Sequence, residues 1–379
     1  MEPPQSAARG ARLVPLLSAP LAALLAAACT SFGPGTIRGA RFDYNAEIAK
    51  SWDEQLLLNL VRLRYRDTPQ FVQVGSVLAR YTRGAGAAAG ALLGVDGTSR
   101  TETSIGGNVA YEESPTITYV PLQGEGFTRH LLIPIGAQPL FLMAQSGWSI
   151  ERLLRCCMQQ VNGIRNAPGA AGPTPLRGDD AADFVALAAL LREMQIDGTL
   201  ASLVTAVDGG AGSIQGGEPR LVLAPTGDPD EDRRIEQLRA LLSLDEACVE
   251  FPVRPGLGRG DGCAVVMQTR SLLGVMFFLS LGVQVPAEHV ERGLVTRSVG
   301  GDGRPYDWSR LVGGLLQVQN AASWPEDAFV VVRYRDRYWY IDDADLESKS
   351  TFFLLTWLFN LQATSAAGVG PVLTVGTGG

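Results

Sequence analysis

Residues 43–82, DYNAEIAKSWDEQLLLNLVRLRYRDTPQFVQVGSVLARYT, change from a helical to a strand-like period across one proline, and that change decides the fold class. Between Asp43 and Asp67, Ile48, Trp52, Leu56, Leu60 and Leu63 recur at helical spacing, and Leu57, Val61 and Tyr65 widen the stripe enough to pack into a core. Asp43 or Asn45 can cap this helix, Glu47 suits its first turn, and Arg62, Arg64 and Arg66 lie where the dipole favours cations. Pro69 ends it. Three strand-like runs follow, Phe71–Thr82, Thr101–Tyr111 and Thr116–Val120, which predict a small antiparallel sheet. Between the first two lies a Gly/Ala-rich stretch, residues 83–100, expected to be a long mobile hairpin tip.

Further along, residues 127–161 read as helical, with Ile150, Leu153, Leu154, Cys157 and Val161 on one face. A Gly/Pro-rich break, GIRNAPGAAGPTPLRG at 163–178, is the expected boundary between an N-terminal region, 43–162, and a C-terminal region, 179–379. The second region alternates. Helices are expected near 179–195, 229–243, 271–281 and 346–361, strands near 200–206, 219–224, 247–253 and 263–268, and a hairpin over Phe329–Arg335 and Arg337–Ile341. The whole reads as α+β, a small antiparallel sheet with packed helices in the N-terminal half and a mixed α/β arrangement in the C-terminal half. Two apolar segments, SLLGVMFFLSLGVQV and TFFLLTWLFNLQ, fall short of the roughly 20 residues of a membrane span and read as buried core helices.

The N-terminus carries the strongest functional signal. Arg9 and Arg12 precede an apolar run, LVPLLSAPLAALLAAA at 13–28, which ends in three alanines before Cys29. That charged, apolar, small-residue order is a secretory signal. A cysteine directly after it resembles the lipobox of bacterial lipoproteins, although Ala26 stands where leucine is commonest. Residues 1–28 are accordingly expected to be a lipoprotein signal peptide, with Cys29 lipidated and 29–42 forming a Gly/Pro/Ser tether. Acyl chains, palmitate among them, would hold the chain on a membrane at about 0.8 kcal/mol per buried methylene. Thr30 replaces the aspartate associated with inner-membrane retention, so the outer membrane is the expected destination. Ordinary secretion, with Cys29 incidental, is the alternative.

Composition narrows the function classes. The 379-residue chain is 46% hydrophobic and 19% charged, the balance of a folding chain. Net charge is −7, and removal of 1–28, which hold Glu2, Arg9 and Arg12, leaves 30 basic against 38 acidic residues. This argues against nucleic acid, whose phosphates require clustered cations. Lys50 and Lys349 are the sole lysines, so nearly all positive charge is guanidinium.

Candidate chemical groups are few. His130 and His289 have no Cys or His at metal-ligand spacing and no GxSxG motif accompanies them, so both read as structural, and neither metal nor cofactor is expected. If the strands near 247–253 and 263–268 form a hairpin about RPGLGRGD, Cys248 lies on the order of 14 Å from Cys263 at strand rise, beyond disulfide reach. Cys156, Cys157, Cys248 and Cys263 are therefore expected to be buried free thiols. Arg259–Asp261, an RGD tripeptide, reads as a turn. The acidic group Asp342, Asp343, Asp345 and Glu347 follows a strand and opens a helix; capping and ion pairing are expected, with a carboxylate pair for hydrolysis as the functional alternative.

Three segments, EQLLLNLVRLRYRDTPQF at 54–71, QTRSLLGVMFFLSLGVQVP at 268–286 and YWYIDDADLESKSTFFLLTWLF at 338–359, resemble a family of bacterial outer-membrane-type lipoproteins of unknown function. The resemblance covers both regions and implies no activity, cofactor or catalytic residue. The leading expectation is a non-enzymatic, lipid-anchored envelope protein that binds or scaffolds an envelope protein or polymer. Two alternatives stand beside it: an envelope-polymer hydrolase using Asp342, Asp343 or Asp345, and a periplasmic chaperone or pilot of an export machine.

Overall fold

The structure, a computed structural model, describes residues 34–92, 102–173, 175, 181–205 and 218–363. Cys29 and the expected signal peptide lie outside them. The chain divides into two units, Met1–Asp53 and Glu54–Gly379. Helix α1 spans Pro34–Arg64. It starts inside the segment expected to be tether, because Pro34 stands at the first helical position, where a fixed φ and a missing N–H favour a helix. In the second unit Leu56, Leu57, Leu60 and Val61 of α1 are almost fully buried, as their spacing predicts.

The three expected strands of the N-terminal half are two. Strand β1, Phe71–Leu92, pairs antiparallel with β2, Glu102–Leu122, in unbroken register from Phe71↔Leu122 to Leu92↔Glu102 apart from one irregularity at Val74/Ser76. The Gly/Ala stretch expected to be a mobile tip is strand as far as Leu92, since backbone pairing, not side-chain propensity, sets the ribbon. At about 3.3 Å per residue β1 alone is about 70 Å long.

Three short helices replace the single helix expected over 127–161: α2, Glu125–Leu132; α3, Ala137–Gln145; and α4, Ile150–Cys157. Pro134 with Gly136, and Gly147 at φ +98°, interrupt the run. Val161 lies in strand β3, Met158–Val161, followed by β4, Ile164–Arg165. Within the expected boundary at 163–178, residues 168–171 form a 3₁₀ turn with Ala170 buried, and residues 174 and 176–178 lie outside the described residues.

Downstream, the elements follow the sequence expectation closely: α5, Ala182–Asp197; β5, Leu200–Thr205; β6, Glu218–Leu223; α6, Pro229–Leu242; β7, Glu250–Pro255; β8, Val265–Thr269; and α7, Leu272–Ser280. Two short helices come next, α8, Ala287–Glu291, and α9, Ser309–Val312. Strands β9, Gln319–Ala321, β10, Ala328–Tyr334, and β11, Arg337–Asp342, then lead to α10, Leu346–Ala363.

The fold is α+β. One six-stranded sheet runs β4-β3-β8-β7-β6-β5, a second runs β10-β11-β9, and the β1-β2 ribbon is a sheet of its own. The six-stranded sheet takes strands from both sides of the expected boundary, which explains why 54–379 is one unit. Helix α7 is buried nearly throughout, as its composition requires. Helix α10 is not. Phe352, Leu355 and Phe359 are buried, while Phe353, Trp357 and Leu361 lie along its exposed side.

The cysteine expectation is overturned in part. Strands β7 and β8 run parallel, Val253 opposite Val265, so Cys248 and Cys263 both precede their strands at the same end of the pair. Their Cα atoms are 5.7 Å apart and they form a disulfide. The hairpin assumed from the sequence fails because residues 256–264 turn back across the sheet. At Gly260 a Cβ would stand 2.2 Å from the Ala264 carbonyl oxygen, so only glycine permits the crossing. Cys156 and Cys157 are free and buried, as expected.

Candidate functional site

The acidic turn is built as a helix start. The Asp345 carboxylate accepts from the Ser348 N–H at 3.0 Å and from its hydroxyl at 2.6 Å, opening α10. The Asp342 carboxylate accepts from the Ala344 N–H at 2.9 Å, and Asp343 pairs with the Lys349 ammonium at 2.6 Å. Glu347 pairs with Arg152, whose guanidinium also donates to the Glu347 carbonyl at 2.8 Å. Each of the four carboxylates is thus committed to a local N–H, hydroxyl or cation, the arrangement that capping and ion pairing require.

The histidines separate. His130 lies in the last turn of α2. His289 is buried, and its Nδ1 lies 2.6 Å from the Tyr65 hydroxyl, a pair no sequence spacing announces across 224 residues. Around Tyr65 stand Tyr334 and Trp339, each at 5.8 Å between ring centroids, and the Arg335 guanidinium 4.8 Å above the Tyr65 ring. Arg335 also pairs at 3.0 Å with Asp67, which accepts from the Tyr334 hydroxyl. Burial pushes Tyr65 up to about 12 and holds His289 below its ordinary value. The imidazole is therefore neutral near pH 7. This group joins the end of α1 to the β10-β11 hairpin.

A second buried group missed in the sequence is Arg270, fully enclosed and without a carboxylate. Its guanidinium donates to the carbonyls of Arg155 at 3.1 Å, Cys156 at 2.9 Å and Asn166 at 2.5 Å, and lies 4.1 Å above the Phe278 ring. Two of those carbonyls are orphan acceptors at the end of α4, where a cation suits the dipole. Burial lowers Arg270 to about 10, pushes the Cys156 thiol up to about 11 and raises Cys157 further still. Both thiols are neutral at physiological pH, so neither is a counter-charge or an activated nucleophile.

Among the described residues no three His, Cys, Asp or Glu side chains gather into a metal-binding group. A depression of about 650 Å³ lies between Ala182, Val185 and Ala189 of α5 and the loop bearing Asp302, Tyr306, Asp307 and Arg310. The Ser309 hydroxyl and the Ser309 N–H, the latter at 2.9 Å, donate to the Asp307 carboxylate and together hold it below the ordinary value.

The most distinctive element is the ribbon. Helix α1 clamps its root: the Asn59 side chain accepts from the Gln70 N–H at 2.9 Å and donates to the Gln70 carbonyl at 2.6 Å. Gln55 repeats this at Val72, accepting at 2.6 Å and donating at 3.1 Å. Two carboxamides one helical turn apart thus mimic strand pairing on β1. Beyond them, among the described strands, β1 and β2 pair with each other alone. Near the root Ile117 and Tyr119 are exposed.

Comparison of the chain with protein-family models, with curated proteins and with solved structures yields no match.

Proposed function

We propose that this chain is an exported, lipid-anchored cell-envelope protein, held at the outer membrane through Cys29, that acts by binding or scaffolding and not by catalysis. The observation that carries the binding role is the long β1-β2 ribbon, clamped at its root by Gln55 and Asn59 and paired with no other strand among the described residues. A long ribbon with free backbone edges suits recognition, because strand addition supplies main-chain hydrogen bonds without further design. The Cys248–Cys263 disulfide supports an oxidising compartment outside the cytosol. No helix among the described residues is long and apolar enough to cross a membrane, which is compatible with attachment through lipid. The hydrolase alternative loses its motivation once Asp342, Asp343 and Asp345 are engaged in the start of α10.

Incorporation of labelled palmitate, beside Cys29→Ala, with membranes fractionated, tests the reading. Label in the outer-membrane fraction that disappears in the variant supports it. No label in either protein would refute the anchor.

A further inference from the structure

Because among the described strands β1 and β2 pair only with each other, the ribbon beyond the clamp at Gln70 and Val72 has two open edges. A lone two-stranded ribbon is marginal in water, and exposed edges are ordinarily blunted by charge, proline or a bulge. Here most of those devices stand in the root half, the irregularity at Val74/Ser76, Pro115 and Pro121, and the charged residues Arg80, Arg83, Glu112 and Glu113, with Glu102 alone at the far end opposite Leu92. From Gly84 to Leu92 and from Thr103 to Tyr111, nine positions on each strand, there is neither charge nor proline. That length matches the roughly 9–11 residues with which a tilted strand crosses the hydrocarbon of a bilayer.

Strand periodicity divides this band into two faces. The pairs Ala85↔Val109, Ala87↔Gly107, Ala89↔Ile105 and Ala91↔Thr103 share one face, apolar but for Thr103. Tyr81 and Tyr111 occupy the same face at the root end, where membrane barrels carry an aromatic girdle. The pairs Gly86↔Asn108, Ala88↔Gly106 and Gly90↔Ser104 share the other, small and more polar. Apolar and polar positions alternating with a period of two are the signature of a barrel strand.

The charges say what the edges pair with. Arg80 and Arg83 are the only charged residues of β1, and Glu102, Glu112 and Glu113 the only ones of β2. The register sets the two groups level, Arg83 opposite Tyr111, Thr82 opposite Glu112 and Tyr81 opposite Glu113. With β2 of one copy beside β1 of the next, carboxylates adjoin guanidiniums. Pairing β1 with β1, or β2 with β2, would oppose like charges. The favoured contact is therefore head-to-tail, which generates a ring where its rotation closes, and closure is the condition for a sheet to reside in lipid.

We infer that the ribbons of several copies of this chain pair edge to edge, β2 of one beside β1 of the next, into a closed antiparallel barrel whose uncharged band crosses a lipid bilayer. This rests on the envelope reading above and names the bound partner as further copies of the chain.

The test uses the full-length protein, sized in mild detergent by mass photometry and reconstituted into phosphatidylethanolamine/phosphatidylglycerol vesicles holding a self-quenched dye. Wild type forms a ring of uniform copy number and releases dye. The variants Arg80→Glu/Arg83→Glu and Glu112→Arg/Glu113→Arg, each alone, lose the ring and at least tenfold of the release. An equimolar mixture of the two regains both, because unlike charges then adjoin between copies. Ala87→Asp/Ala89→Asp abolishes release. An unchanged melting transition of the body shows that each variant folds. A monomer in vesicles, a ring that releases no dye, or release indifferent to these variants overturns the inference. Palmitate labelling separates the two readings: leakage without label overturns the anchor and keeps the barrel, whereas label with a silent monomer does the reverse.

Discussion

Replacing Arg270 by methionine keeps an unbranched side chain in its enclosed site but removes the donors that serve the carbonyls of Arg155, Cys156 and Asn166. Each buried acceptor left unpaired costs about 1–3 kcal/mol, so three together cost about 3–9 kcal/mol. Against this stands the desolvation of the guanidinium, which no carboxylate offsets and which the methionine variant no longer bears; that recovers several kcal/mol. The carbonyl term wins because the chain cannot retract those groups: they belong to the end of α4 and to the turn after β4, and the Cys157 carbonyl is itself tied at 2.6 Å to the Arg270 N–H. The expected net loss is about 3 kcal/mol, which at about 2–4 °C per kcal/mol is a fall in Tm of about 6–12 °C. Arg270→Lys separates charge from geometry. An ammonium keeps the charge but cannot span three carbonyls as a planar fork does, so it is expected to be at least as unstable as the methionine variant. Urea unfolding followed by tryptophan fluorescence gives both numbers. A methionine variant as stable as wild type would refute the reasoning, since desolvation would then outweigh the hydrogen bonds.

Three further perturbations test other parts of the structure. Reducing the Cys248–Cys263 bridge, or replacing both residues by alanine, releases a loop of 15 residues and is expected to cost about 3 kcal/mol; a melting transition indifferent to reductant would contradict the bridge. Burial depresses His289, so below its ordinary value of 6.5 the unfolded chain binds a proton that the folded chain resists, and stability falls as pH drops through that value. His289→Phe should remove this step from a plot of stability against pH, and an identical acid limb in the variant would rule the histidine out as its source. Asp345→Ala loses the cap on Ser348 and is expected to cost about 1 kcal/mol, whereas Asp343→Asn loses one exposed ion pair worth at most about 1 kcal/mol. The ranking is read from denaturant midpoints, and an inverted order would return the acidic turn to functional candidacy.

How much of this was legible depended on the range of the interaction concerned. The helices and strands after residue 181 match the expected spans within a few residues because their signals are local: Asp228 caps α6 through the N–H groups of Asp230 and Glu231, and Ser271 caps α7 through that of Gly274. Asp345, which accepts from the Ser348 N–H at the start of α10, is a local signal too. What escaped was long-range. The parallel run of β7 and β8 is written in no dipeptide, and it alone brings Cys248 to Cys263. Arg270 reads as a surface residue until three distant carbonyls surround it.

The ribbon failed for a different reason. Gly/Ala-rich sequence has little strand propensity, so residues 83–92 resemble a loop when each is judged alone. Their pattern becomes visible once the register is known, because only pairing shows that the alanines of β1 share a face with Val109 and Ile105, and that every arginine lies on one strand and every glutamate on the other. Low intrinsic propensity and unprotected edges together describe a ribbon that gains little from pairing in isolation and much from pairing with neighbours. The clamp of Gln55 and Asn59 acts on the opposite problem: it fixes the root of the ribbon through four hydrogen bonds to backbone groups of Gln70 and Val72, which orders the start of β1 before any neighbour pairs with it. Loss of that clamp should impair assembly while leaving the body folded, which makes the root as diagnostic of the arm's purpose as its uncharged band.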